Sequence, residues 1–524
     1  MNSARRRLDA WTGALFVAAL ALPSIAAAWS DDPGASVRPE GRNPAPWPVF
    51  TGDLAGWAST PDRLESAFED RLGGRATLLR ARNALLLFGL GIAPKPILVV
   101  GSDRRVFLDE FGLLSYLRGA RPMTTAELRG WRRALESRAR FVAAHGGRLV
   151  LAIAPENATV YADEIPSAWR SVGPSRTDQL VAEIAAGGPC TVIDLRPALK
   201  AARALDRSGD PACYPFGTHW TPRGAFAASR AIAAALAREL PQFPAIADAA
   251  RDDVRFEPNA RIGDSWAGRL HLEGLLVNED WTLVDPGQRW QAVHEPRFEG
   301  DELVTQRPGA ELPSAIVVHD SFGSIPRGVM PRTFSRATFL WQHGFPADRI
   351  ARERPDVVLL LYGERFLGRT AWPILGGERD ADLEAEIAAA HGVLARFDAQ
   401  ELARRCDIRG PLELRADAGG LHLREVSAGG LLLLPPIAFS TEVALVLQLE
   451  IESEVETQAS VFFATHDDRE YGRARVVRAP VQRGRSVVTL EISDPDRAGR
   501  LALRIEDLGR RWTLASVVVR GAPR

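Results

Sequence analysis

Cysteine is scarce in this chain, with three in 524 residues. Cys190, Cys213 and Cys406 are too few for a disulfide framework, and their spacing is not that of a zinc site. A surplus of one charge is also missing. Lys and Arg number 65 against 66 Asp and Glu, a formal net charge of -1. The arginines are spread among acids instead of forming a stripe, so nothing points to nucleic acid as a partner. Beyond residue 28 no apolar run is long enough to span a bilayer. There is no internal repeat and no His/Cys/Asp cluster with metal spacing, so neither a metal nor another cofactor is expected.

What is present fits a soluble globular chain of two or three domains, 46% hydrophobic and 25% charged. Arg5-Arg6-Arg7 precede an apolar segment from Trp11 to Ala28 that ends in Ala26-Ala27-Ala28. That is the pattern of a secretory signal peptide, with Pro23 favouring cleavage. The segment is also long enough to be read as an uncleaved membrane anchor. Either way the expected location is periplasmic or otherwise extracytoplasmic, an oxidising setting for the cysteines. Cys190 and Cys213 bracket the segment that leads to His219, and a bridge there would be worth roughly 3 kcal/mol. The alternative is three unpaired thiols.

Residues 29–60 are proline-rich and aperiodic, a flexible lead-in. From 61 to 380 apolar strands alternate with amphipathic helices. Ile97–Val100, Leu149–Ile153, Thr191–Leu195, Ala315–Val318 and Asp356–Leu361 read as strands; segments opening at Thr124, Arg176, Pro197 and Pro222 read as helices. This rhythm predicts an α/β fold with a largely parallel sheet covered by helices. A connector helix is expected within 381–409, from Ala381 to Ala403. After it, short strand-like segments separated by Gly, Pro and Asp turns predict an all-β sandwich over 410–524, either a carbohydrate-binding domain using Trp512, Tyr471 and Phe463 or a purely structural one.

Two motifs carry chemistry. Gly217-Thr218-His219-Trp220 opens a helix, and His319-Asp320-Ser321-Phe322-Gly323 follows the strand Ala315–Val318. A serine just past a buried strand is held at the rim of a sheet, where a histidine from another loop can take its proton. Gly263-Asp264-Ser265 is a second candidate string, but no apolar strand precedes it, so Ser321 is preferred as nucleophile. Asn157 is either an oxyanion donor or a loop cap. Trp220 reads as a packing residue or a sugar platform. Glu364 and Arg365 either touch substrate or pair with each other. His319 assists Ser321 or merely fills a turn position.

In order along the chain, ESAFEDRLGGRATLLRARNALL, VVGSDRRVFL, APENATVY, VIDLRPAL, GTHWTPRGA, IGDSWAGRL, VVHDSFG and RPDVVLLLYGERFL resemble the SGNH-hydrolase-like domain of the periplasmic alginate O-acetyltransferases (AlgX/AlgJ type). The resemblance covers about three-fifths of the chain. It implies acyl transfer to, or hydrolysis of, O-acetyl groups on a polysaccharide, with a membrane-bound acyltransferase supplying acetyl. His219 and Ser321 match the family's catalytic positions. Two positions depart from it: Gly217 stands where the family has the orienting aspartate, and His319 where it has glycine. Loss of that acid from a serine triad can lower the rate by about four orders of magnitude. Three alternatives follow. Another carboxylate, Asp210, Asp264 or Glu364, reaches the site; a Ser-His dyad suffices; or catalysis is lost and the chain is a glycan-binding or assembly-scaffold protein.

Overall fold

The computed structural model describes residues 11–14, 16–17, 37–38, 44–48, 54–123, 125–206, 211–251, 253–295, 302–342, 344–368, 392–417, 419–425, 430–439, 445–455, 457–465, 476–492, 497–505 and 511–521. The chain separates into two compact units. One comprises Met1–Phe107, Tyr214–Thr218 and Asn259–Asp280; the other Leu108–Cys213, His219–Pro258 and Trp281–Arg524.

In the first unit the helices Leu54–Asp70 and Arg75–Ala84 are followed by a π-helical turn, Leu85–Gly89. The second helix docks by one face. The Asn83 amide donates to the Leu270 carbonyl at 2.8 Å and the Arg80 guanidinium to the Glu273 carbonyl at 2.7 Å, while Leu87 is buried. The short strands β1 (Leu98–Val100) and β2 (Val106–Leu108) then pair.

The second unit carries the main sheet. Its strands are β3 (Arg148–Ala154), β4 (Thr191–Asp194), β7 (Gln291–His294), β8 (Leu303–Gln306), β9 (Ser314–His319), β10 (Arg336–Trp341) and β11 (Val357–Gly363). A separate two-stranded sheet, β5 (Arg255–Ile262) with β6 (Glu279–Val284), falls between β4 and β7 in the chain. The order across the main sheet is β4-β3-β11-β9-β10-β8-β7. The first five strands are mutually parallel, and β8 and β7 close one edge antiparallel. Every residue of β11 and all but the first of β9 are buried, as befits strands covered on both faces. On one face Leu149, Leu151, Ile316, Val318, Val358 and Leu360 share a core with Trp131 and Leu135 of the helix Thr125–Ala144, and with Leu180 of the helix Arg176–Ala185. Ser175 and Asp178 form a capping box that starts the latter. The α/β architecture is the one expected; β7, β8 and β10 were not foreseen.

The connector differs from expectation. Residues 369–391 lie outside the described residues, and Gly392–Asp398 is a strand, β12. Among the described residues of the connector, Ala399–Arg405 is helical, started by a capping box of Asp398 and Glu401. The strands that follow are β13 (Asp407–Arg409), β14 (Leu412–Asp417), β15 (Gly420–Glu425), β16 (Leu431–Leu433), β17 (Leu445–Ser453), β18 (Thr457–Thr465), β19 (Val476–Val481), β20 (Gly484–Ile492), β21 (Arg497–Ile505) and β22 (Arg511–Gly521). They form two sheets, β14-β15-β22-β17-β20 with β12 added on β22, and β13-β16-β21-β18-β19. Both contribute to one core, with Leu447, Leu449 and Leu514 from the first and Val461, Phe463 and Leu503 from the second. This is the expected all-β sandwich, beginning earlier than residue 410.

None of the three cysteines is in a disulfide, so the Cys190–Cys213 bridge is absent and the alternative of unbridged thiols holds. Cys190 precedes β4 at the N-terminal edge of the parallel strands, whereas the Cys213 N–H donates to the hydroxyl of Tyr161, which follows the C-terminal end of β3. Opposite edges of one sheet keep the sulfurs apart. Burial pushes the Cys190 thiol up to about 12, which disfavours its thiolate.

Candidate active site

Parallel register brings the C-terminal ends of three neighbouring strands to one edge. Ala154 of β3 pairs with Gly363 of β11, and Leu361 of β11 with His319 of β9. Glu156 and Asn157, Asp320 and Ser321, and Glu364 and Arg365 all emerge there. Ligands gather at this edge in such sheets.

Asp320 builds the serine turn. Its buried carboxylate accepts the N–H of Phe322 at 2.9 Å and the N–H of Gly363 at 2.8 Å, locking the turn Ser321–Gly323 to the end of β11. Burial raises the Asp320 pKa, and these two donors oppose the rise. His319 lies beneath, fully buried against Phe339 and Trp341, its Nδ1 at 2.7 Å from the Asp320 carbonyl. Burial lowers the His319 pKa to about 4, so the ring is neutral and Nδ1 donates. It fills space instead of assisting the serine: a Cβ on Gly323 would lie 2.1 Å from its ring.

Ser321 Oγ stands 2.8 Å from His219 Nε2. The imidazole meets the Phe322 ring edge-on at 5.2 Å. Trp220 is not a sugar platform. It is buried, and its indole N–H donates to the Phe322 carbonyl at 3.1 Å, tying the histidine segment to the serine turn. Thr221 then caps the helix Pro222–Glu239, which has Pro222 at its first position. Of the backbone N–H groups from Asp320 to Ser324, four are bonded, to Leu361 O, the Asp320 carboxylate, Asp320 O and Ser321 O. That of Ser321 is the remaining one among the described residues.

Glu364 and Arg365 do not pair with each other. Arg365 forks onto the buried carboxylate of Glu156 with two contacts of 2.6 Å and lies over the Phe322 ring. Glu364 is buried and accepts from the Thr177 and Thr159 hydroxyls and the Glu156 N–H. Burial raises it to about 7 against those donors. With its oxygens so engaged, Glu364 is not the acid that orients His219. Asp320 directly follows buried β9 and Glu156 follows buried β3 after Pro155, and that position is the signal the sequence offers for both. Asn157 is buried and begins the short helix Asn157–Val160.

The other candidates are placed as follows. Ser265 Oγ donates to the Leu276 carbonyl and accepts the Ala267 N–H, both at 3.1 Å, holding its own loop. Asp264 accepts the Thr218 N–H at 2.7 Å and the Thr218 hydroxyl at 3.2 Å. A Cβ at Gly217 would lie 2.7 Å from Asp264 Oδ2 and 2.3 Å from its carbonyl oxygen. Asp264 therefore fills the space that a side chain at 217 would need. Asp210 lies outside the described residues. In the sandwich, Trp512 and Phe463 are buried and offer no platform for sugar, and Tyr471 is outside the described residues.

Residues 98–270 match the family model described as the SGNH hydrolase-like domain of acetyltransferase AlgX. Over that segment, about a third of the chain, the sequence is similar to that acetyltransferase domain. His219 falls inside the matched segment, and Ser321 beyond it. Among solved structures, the O-acetyltransferase domain of Pseudomonas putida AlgJ is 20% identical, covering 55% of this chain and 98% of that one, with a TM-score of 0.36. Pseudomonas aeruginosa AlgX is 13% identical over 85% of this chain and 99% of that one, with a TM-score of 0.35. A carbohydrate-binding module of Cellvibrio mixtus lichenase 5A is 16% identical over 25% of this chain and 98% of that one, with a TM-score of 0.18. Scores this low carry no argument about chemistry. No curated protein matches the chain by sequence.

Proposed function

We propose that this chain is an extracytoplasmic acyltransferase or esterase acting on O-acetyl groups of a polysaccharide through an acetyl-serine intermediate. The observation that carries the reading is the 2.8 Å approach of His219 Nε2 to Ser321 Oγ at the C-terminal edge of a parallel sheet. In the first step Ser321 Oγ attacks the acetyl carbonyl while His219 Nε2 takes its proton. The Ser321 N–H supports the oxyanion. Collapse breaks the ester bond, and the departing alkoxide receives that proton from His219. A sugar hydroxyl then loses its proton to His219 and attacks acetyl-Ser321, giving the new ester and free serine. Water in place of the sugar gives hydrolysis. A membrane-bound acyltransferase would supply the acetyl group.

A second reading, an impaired glycan-binding or assembly-scaffold protein, is favoured by one observation: the residue two before the histidine is Gly217. The test is mass spectrometry of the protein after exposure to an activated acetyl ester. Acetyl on the peptide containing Ser321, absent from Ser321→Ala and present in Ser265→Ala, is expected. Label that survives Ser321→Ala would end the assignment, and no label on wild type would favour the scaffold.

A further inference from the structure

The helix Arg75–Ala84 and the turn Leu85–Gly89 bury one face and leave the other open. Arg80, Asn83 and Leu87, at i, i+3 and i+7, hold the buried face to the Leu270–Glu273 segment of the same unit. The opposite face carries Leu78, Arg82 and Leu85, at i, i+4 and i+7. Leu78 is 53% exposed and Leu85 60%. Just beyond, Gly91 takes φ +65°, which favours glycine. It lets the Ile92 N–H return to the Leu86 carbonyl at 2.8 Å. Leu90 and Ile92 are 59% and 53% exposed in consequence. Four large aliphatic side chains thus stand in solvent within fifteen residues, a cluster that water disfavours.

Charge identifies what covers it. From Arg71 to Lys95 there are five basic residues, Arg71, Arg75, Arg80, Arg82 and Lys95, and no acidic one, in a chain whose formal net charge is -1. Arg71 and Arg80 are held by backbone carbonyls of their own unit, but Arg75 and Arg82 stand at i and i+7 with Leu78 at i+3. An open aliphatic face that carries basic residues and no acidic one is the pattern of an interfacial helix. No helix among the described residues is long and apolar enough to cross a membrane, so this face would rest on a bilayer without spanning it. We propose that the Leu78, Leu85, Leu90 and Ile92 face docks on an anionic phospholipid surface. Aliphatic tips enter the acyl boundary, and Arg75 and Arg82 meet headgroup phosphates.

The experiment uses the full chain with vesicles of phosphatidylcholine, with or without phosphatidylglycerol, read by hydrogen exchange and co-sedimentation. Slowed exchange confined to residues 75–92 is expected with the anionic vesicles, weakening as salt is raised. Leu85→Glu with Ile92→Glu changes exposed side chains only and should lower partitioning into those vesicles at least about tenfold. Exchange in 75–92 that is unaffected by anionic vesicles would overturn the proposal, as would equal protection by neutral ones or in the double variant. A concentration-dependent dimer lost in that variant, with no lipid protection, would overturn it in favour of a second copy of the chain.

Discussion

At the residue scale, Gly217 and Asp264 form one unit. The sequence shows the acid missing two positions before His219 and offers Asp210, Asp264 and Glu364 in its place; which of them occupies the vacated space is not legible there, because Asp264 is brought to Thr218 from 46 residues away. Restoring the family residue is therefore expected to do harm. In Gly217→Asp the new Cβ meets the Asp264 carbonyl oxygen at 2.3 Å, and overpacking of that kind costs about 1–3 kcal/mol or more. A lower melting temperature without a gain in esterase turnover is the expected result, and a faster, equally stable variant would contradict it. Asp264→Ala removes the acceptor that fixes Thr218, the residue joined directly to His219. A bond to a charged acceptor is worth about 1.5–3 kcal/mol. The expected outcome is a fall in turnover larger than any change in KM, since Asp264 acts on the placement of His219 through Thr218.

At the element scale, the C-terminal ends of β3, β9 and β11 are fastened to one another by buried titratable groups with opposite pH dependence. His319 has its folded pKa lowered to about 4 against an ordinary value of 6.5. Its neutral ring favours the native state fully above the ordinary value, and that contribution is lost as pH falls from about 6.5 toward 4. Glu364 has its folded pKa raised to about 7 from 4.5. The native state then binds the proton more tightly, a contribution complete below 4.5 and lost as pH rises toward 7. Glu364→Gln, which cannot ionise, should therefore gain on wild type steadily between pH 4.5 and 7 in denaturant titrations. A constant difference across that window would show that burial does not raise this carboxyl. The turn itself tests the packing of His319. Gly323→Ala would set a Cβ 2.1 Å from the imidazole and should destabilise by about 1–3 kcal/mol, whereas His319→Gly in the same chain should recover part of the loss. Independent, additive losses would mean that the two residues do not share this space. None of this fastening was legible in advance: a buried strand announces where a serine turn begins, but the side chains that brace it come from strands adjacent only in space.

At the scale of the whole molecule, legibility followed the period of the apolar pattern. Continuous apolar runs marked β3, β9 and β11 because both sheet faces are covered, and helical spacing marked Thr125–Ala144 through Trp131, Leu135 and Val142. The antiparallel strands β7 and β8 are four residues each, β7 largely exposed and β8 half polar in sequence, so no apolar run reveals them. The boundary of the sandwich was misread for a related reason. Gly392-Val393-Leu394-Ala395-Arg396-Phe397-Asp398 follows a helix-forming stretch and contains good helix formers, yet it pairs along β22 from Gly521 to Ser516. Tertiary pairing overrides local preference there. Phe397 and Leu402, at 3% and 0% exposure, then enter the sandwich core. This makes the boundary testable. A fragment of residues 392–524 should fold alone with a single cooperative melt, because it retains both sheets and their shared core. A fragment of residues 410–524 loses β12, the helix Ala399–Arg405 and β13, and with them two buried side chains whose truncation alone costs about 2–5 kcal/mol each. It should be molten or insoluble, leaving one flank of β22 unpaired from Ser516 to Gly521. Equal melting temperatures for the two fragments would show that the sandwich begins at residue 410 after all, with β12 as a detachable strap.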